Sequence, residues 1–107
     1  MPLSCQSEKR SLTARLSGEI DHHAARQLML ELDRVIESHF PKTLVLDMDS
    51  VTFMDSSGIA LLLRTWRRMQ ETGGTMQVVH VPPQPGKVLR AANIHKIVPI
   101  SFLEPVG

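Results

Sequence analysis

The sequence predicts an α/β fold, with a small mixed and mostly parallel sheet of four to five strands and about three helices. The hydrophobic period alternates along the chain between two residues, as in strands, and three to four, as in helices. The run Leu44-Val45-Leu46 is apolar at consecutive positions, the pattern of a central strand covered on both faces. Glycines and prolines fall between these stretches and punctuate them. Strands that alternate with helices call for right-handed crossovers between neighbouring parallel strands. At 107 residues the chain suits one domain, residues 1–107, because dividing it would leave two marginal cores.

Leu12, Ala14 and Leu16 alternate with Thr13 and Arg15, which predicts a half-buried strand ended by Gly18. From Asp21 to His39 the positions Ala25, Leu28, Met29, Leu32, Val35 and Ile36 form one apolar helical stripe. Asp21 is placed to cap its N-terminus, and Pro41 to stop it. After the strand at Leu44–Leu46 and the stretch Val51–Met54, a second stripe, Ile59, Leu62, Leu63, Trp66 and Met69, predicts a helix beginning near Ser57 and closed by Thr72-Gly73-Gly74. Met76–Val81 reads as the next strand, broken by Pro82, Pro83 and Pro85. A short helix over about Gly86 to Ala92, ended by Asn93, leads to a last strand around Ile97–Ile100.

Composition removes several function classes. Twelve basic against eleven acidic residues give a formal charge of +1, too balanced for the positive footprint of a nucleic-acid binder. Four aromatic residues, Phe40, Phe53, Trp66 and Phe102, are too few for a base- or sugar-stacking face. The single cysteine, Cys5, has no intramolecular disulfide partner. No apolar run approaches the roughly 20 residues that span a bilayer, and the start Met-Pro-Leu-Ser-Cys lacks a basic segment followed by an apolar one. The expectation is a cytoplasmic protein without membrane insertion.

The chemistry-bearing residues point away from catalysis. Asp55-Ser56-Ser57-Gly58 lacks the Gly-x-Ser-x-Gly elbow of serine hydrolases, and no histidine is placed to complete a triad. For the two serines, helix capping is the plain alternative to a functional role. His22 and His23 are adjacent on a helix, so their side chains point about 100° apart and do not converge on one ion. Asp47 and Asp49 come without a phosphate-cradling glycine loop. No metal, no cofactor and no enzymatic activity are expected. Arg64, Arg67 and Arg68 lie on the polar side of the second helix, as a solvated face or, less simply, a surface for an acidic partner. Met29 and Met69 are explained by core packing.

Two segments, Gly18-Glu19-Ile20-Asp21-His22-His23 before the first helix and LVLDMDSVTFMDSSGIALLL after it, resemble the STAS domain, specifically the bacterial anti-sigma factor antagonists. The resemblance runs over roughly Ser11 to Ile100 and is most specific at Phe53–Gly58. It implies a single STAS domain whose phosphorylation site is Ser57. It further implies an anti-sigma factor with serine kinase activity as partner, a serine phosphatase that restores the site, and a contact surface of Asp21, His22, Met54, Asp55, Ser56 and Gly58. At a helix start, Ser57 is expected to face unpaired backbone donors. Members of the family usually continue into a C-terminal helix, for which Phe102–Gly107 leaves no room. The alternative is a STAS subunit that is not phosphorylated and docks to a stress-signalling assembly or a lipid-transport membrane complex.

Overall fold

The computed structural model describes residues 3–103. Strand β1 (Leu3–Glu8) forms a hairpin with β2 (Ser11–Ile20). Helix α1 (His22–His39), β3 (Thr43–Met54), α2 (Ser57–Glu71), β4 (Thr75–Val81), α3 (Pro83–Ala91), a 3₁₀ turn (Ile94–Lys96) and β5 (Ile100–Phe102) follow. The sheet order is β1-β2-β3-β4-β5, antiparallel at the first pair and parallel at the other three. This is the mixed, mostly parallel α/β architecture expected. The end of the expected C-terminal segment, residues 104–107, lies outside the described residues.

Because β2, β3 and β4 step always in one direction, crossovers of one hand place α1 and α2 on one face of the sheet. Leu12, Ala14, Leu16, Leu44, Leu46, Met48, Met76 and Val78 point into that face. They are buried against Ala25, Leu28, Leu32 and Ile36 of α1 and Leu61, Leu62 and Met69 of α2. Each fully buried leucine contributes about 1.5–3 kcal/mol. The opposite face is uncovered among the described residues and carries Thr13, Arg15, Thr43, Val45, Gln77 and Val79, none of them buried. The expectation of a strand covered on both faces is therefore corrected: Val45 is only half-buried, because no crossover passes over its side. On α2 the buried stripe is Gly58, Leu61, Leu62, Thr65 and Met69, with Ile59, Leu63 and Trp66 at its margin. Thr65 is tolerated there because its hydroxyl donates to the Leu61 carbonyl at 2.8 Å.

Four boundaries also differ from the sequence reading. Strand β1 was not expected, since five of its six residues are exposed on an edge and carry no buried period. Gly18 does not end β2: it sits at φ +80° where the β2–β3 register shifts, a bulge that glycine accommodates without a Cβ clash. Helix α3 begins at Pro83, ahead of the expected Gly86, because prolines in a first turn lack only N–H groups that have no intrahelical acceptor. The last strand lies at Ile100–Phe102, where Asn93 (φ +58°) and the 3₁₀ turn have used up the residues before it.

Candidate functional site

Strands β2 and β3 run out side by side, with Ile20 paired to Met54, and the Asp55 N–H extends the pairing by donating to the Ile20 carbonyl at 3.2 Å. The residues that follow, Asp21 and Asp55, thus open two adjacent loops at one end of the sheet. Each aspartate caps the helix it precedes. Asp21 Oδ1 accepts from Ala24 N at 2.9 Å, as expected of an N-cap. Asp55 Oδ1 accepts from Ser57 N at 2.8 Å, and the Asp55 carbonyl from Gly58 N at 3.1 Å.

This arrangement corrects two expectations about the serines. Ser56 occupies the N-cap position of α2 in a right-handed helical conformation and makes no side-chain cap bond, so neither serine serves as a cap. The first-turn donors facing Ser57 are not unpaired either. Ser57 N and Gly58 N are taken by Asp55, and Ile59 N by the Ser56 carbonyl at 3.1 Å. What remains at Ser57 is the positive end of the helix dipole and a half-buried hydroxyl with no hydrogen-bond partner among the described residues.

Asp21, His22 and Ser56 are exposed and Asp55 is half-buried. Met54 and Gly58 differ from the expected contact surface. Met54 is 1% exposed and Gly58 is buried, because the Met54 side chain fills the space a Cβ on Gly58 would occupy, meeting its Sδ and Cγ. These two residues shape the loop from beneath.

Sequence reasoning missed Gln84. On the side of β3 away from β2, pairing with β4 ends at Asp47–Val79, which leaves the last turn of strand without a neighbour. Gln84, in the first turn of α3, supplies one. Its Oε1 accepts from Met54 N at 2.8 Å and its Nε2 donates to the Met54 carbonyl at 2.9 Å. The backbone immediately before Asp55 and Ser57 is thereby held from both sides, by β2 and by one side-chain amide.

A second polar group lies on the uncovered sheet face. Asp47, 6% exposed, accepts from Asp49 N at 3.0 Å and pairs with His80 Nδ1 at 3.1 Å and Arg15 Nε at 3.5 Å. Burial pushes its carboxyl up, but the Asp49 N–H, the His80 ring and Arg15 outweigh this and hold it below the usual carboxylate range. Strand alternation would turn His80 to the helical face. Its left-handed backbone (φ +57°) brings the ring to Asp47 instead. Two of the three arginines of α2 are answered within the chain: Arg64 reaches Asp33 and Arg68 reaches Glu37, both at 2.8 Å, joining α2 to α1, while Arg67 is exposed. Among the described residues no three His, Cys, Asp or Glu side chains converge as a metal site would require, and no helix is long and apolar enough to cross a membrane.

Residues 4–103 match the family model of the STAS domain. An anti-sigma F factor antagonist of Paenibacillus polymyxa is 31% identical over 94% of this chain and 86% of its own length. The solved structure of the anti-sigma factor antagonist SpoIIAA in its unphosphorylated form is 25% identical and superposes with a TM-score of 0.78, covering 92% of this chain and 86% of that one. The structure of the Bacillus cell fate determinant SpoIIAA in the phosphorylated form, also 25% identical, gives a TM-score of 0.70 over 92% and 89%.

Proposed function

This chain belongs to the STAS domain family, and from that premise we propose that it is an anti-sigma factor antagonist switched by phosphorylation of Ser57. In this reading it binds an anti-sigma factor that is also a serine kinase and so frees a sigma factor. Transfer of phosphate to Ser57 ends the interaction, and a serine phosphatase restores it. The observation that carries the reading is the Ser57 hydroxyl, without a hydrogen-bond partner among the described residues, at the joint mouth of two loops whose exposed residues are Asp21, His22 and Ser56. The likeness to a relative named as an anti-sigma F factor antagonist supports it, as does the likeness to a structure described as phosphorylated.

The physical basis of the switch is local. A phosphate on Ser57 adds about −1.5 to −2 charges next to Asp55, whose carboxylate already holds the Ser57 N–H. The core lies beneath the loop, at Met54 and Leu61, so the fold survives the modification. A partner covering the loop must desolvate the added charge, and a hundredfold loss of affinity requires only about 2.7 kcal/mol.

The test is incubation with a purified anti-sigma F factor and Mg-ATP, followed by phosphopeptide mapping and a binding titration. Label is expected on Ser57 in the wild type and in Ser56→Ala. Ser57→Ala is expected to bind but resist modification, and Ser57→Asp to stay folded yet bind poorly. Label on Ser56, or a phosphorylated form of unchanged affinity, would overturn the proposal.

A further inference from the structure

The end of the sheet opposite Ser57 gathers the β1–β2 turn, the α1–β3 connection and the α2–β4 connection. Backbone hydrogen bonds stitch them into one platform. The Arg10 carbonyl accepts from Lys42 N at 2.8 Å and Thr43 N at 3.2 Å, and the Lys42 carbonyl accepts from Thr75 N at 2.8 Å. Three cations stand on this platform, Lys9, Arg10 and Lys42, all exposed. None of them has a salt bridge or side-chain hydrogen bond among the described residues.

They are not spent on the helix ends that terminate here. Phe40 N and His39 Nδ1 bond the last carbonyls of α1, while Thr72 Oγ1 and Gly74 N serve the Met69 carbonyl of α2. Arg64 and Arg68, by contrast, are neutralised by acids of α1.

Beside the cations stands Phe40, 71% exposed, the most exposed large apolar side chain described. Its backbone is left-handed at φ +46°, an uncommon and strained conformation for a bulky residue, and Pro41 beneath it is buried. The ring is thus held out into water by a fixed backbone. Phe40, Arg10, Lys42, Thr72 and Gly73 line a groove of about 270 Å³. Arg10 and Lys42 also line an adjoining one of about 400 Å³ that runs on to Lys9 and includes one acid, Glu8.

We propose that this pole is a second docking surface, which takes an extended acidic segment of a partner protein carrying an apolar residue among its carboxylates. The apolar residue would pack on Phe40 while the carboxylates meet Lys9, Arg10 and Lys42. The charge fixes the partner's sign, since three unpaired cations face a single acid on a platform that need not rearrange to bind. The fixed aromatic supplies the kind of anchor around which interface energy concentrates. Because the surface lies at the other end of the strands from Ser57, occupancy here leaves that loop accessible.

The test uses the full chain and a fluorescein-labelled synthetic peptide with a Leu-Phe pair set among six glutamates, read by anisotropy and by amide shift mapping. Saturable binding is expected, with shifts confined to residues 9–11, 40–43 and 72–74 and a loss of at least about tenfold in affinity between 50 and about 300 mM salt. Phe40→Ser and the pair Lys9→Gln with Lys42→Gln should each weaken binding by about fivefold or more while thermal melts stay unchanged, whereas Ser57→Asp should leave it intact. Shifts centred on Arg64–Arg68, unchanged affinity in Phe40→Ser, or no saturation would overturn the proposal. So would tighter binding to phosphatidylglycerol vesicles than to the peptide, which would make the surface a membrane contact.

Discussion

Replacing Gln84 by alanine removes two hydrogen bonds in one step and strands the Met54 amide and carbonyl, which the sheet leaves open on that side. Each bond contributes about 0.5–1.5 kcal/mol net, so the expected loss is about 1–3 kcal/mol. With a urea slope of about 1–3 kcal/mol/M for a domain of this size, the unfolding midpoint should fall by roughly 1 M without a change in slope. Hydrogen exchange should localise the damage, with the Met54 amide losing protection while Leu44 and Leu46, deep in the same strand, keep it relative to the new global stability. Gln84→Glu separates the two bonds. Its carboxylate still accepts from Met54 N but faces the Met54 carbonyl with no proton. The folded state therefore favours the protonated acid and raises its pKa. The stabilisation is fully present below the unfolded value of about 4.3 and is lost as pH rises through the folded one. If Gln84→Ala shifts the midpoint by less than about 0.3 M and leaves Met54 exchange untouched, the clamp contributes nothing and the reasoning fails.

Asp21→Ala should cost on the order of 1 kcal/mol in urea unfolding as a lost N-cap, and should separately weaken anti-sigma factor binding; a folded variant that binds like wild type would remove this loop from the interface. Gly58→Ala should destabilise by about 1–3 kcal/mol through overpacking against Met54, and adding Met54→Ala should recover part of that loss in a double-mutant cycle. Asp47→Asn should lower stability at neutral pH by about 1 kcal/mol and flatten the acid limb of the stability curve. The sign follows from a carboxyl held low in the folded state: its contribution is present above the unfolded value and lost as pH falls through the lower folded one, which unfolding measured at several pH values will read.

Legibility from sequence followed the source of each element's stability. Helix α1 was readable because one apolar stripe, one aspartate and one proline all act within its own segment, and the structure places its cap at Asp21. The opening of α2 at Ser57 was readable for the same reason. Strand β1 was not, because an edge strand with exposed Ser4, Gln6 and Ser7 is held by its neighbour's backbone and not by a pattern of its own. The site divides in the same way. Asp21, Asp55 and Ser57 lie within motifs, whereas Gln84 reaches Met54 across 30 residues and His80 reaches Asp47 across 33. No local spacing encodes such pairs. The burial of Met54 and Gly58 was hidden too, since it depends on how one side chain folds under the loop.

The sheet's unbroken order also bears on how the polypeptide reaches its native state. Ser11 pairs with Thr43, and Thr43 pairs with Thr75, so the first two crossovers span the same 32 residues, and the third, from Val78 to Ile100, spans 22. No strand is inserted between two already joined, and each new strand adds to the edge its predecessor has just made. Growth by short, stepwise additions keeps every loop closure short and lets assembly proceed from the N-terminal hairpin outward, in the direction in which a ribosome delivers the chain. On that route the β2–β3 pair, which carries both aspartate-capped loops, forms before β4 and β5 exist. The clamp from Gln84 arrives afterwards, as the step that fixes the loop from Asp55 to Ser57 already in place.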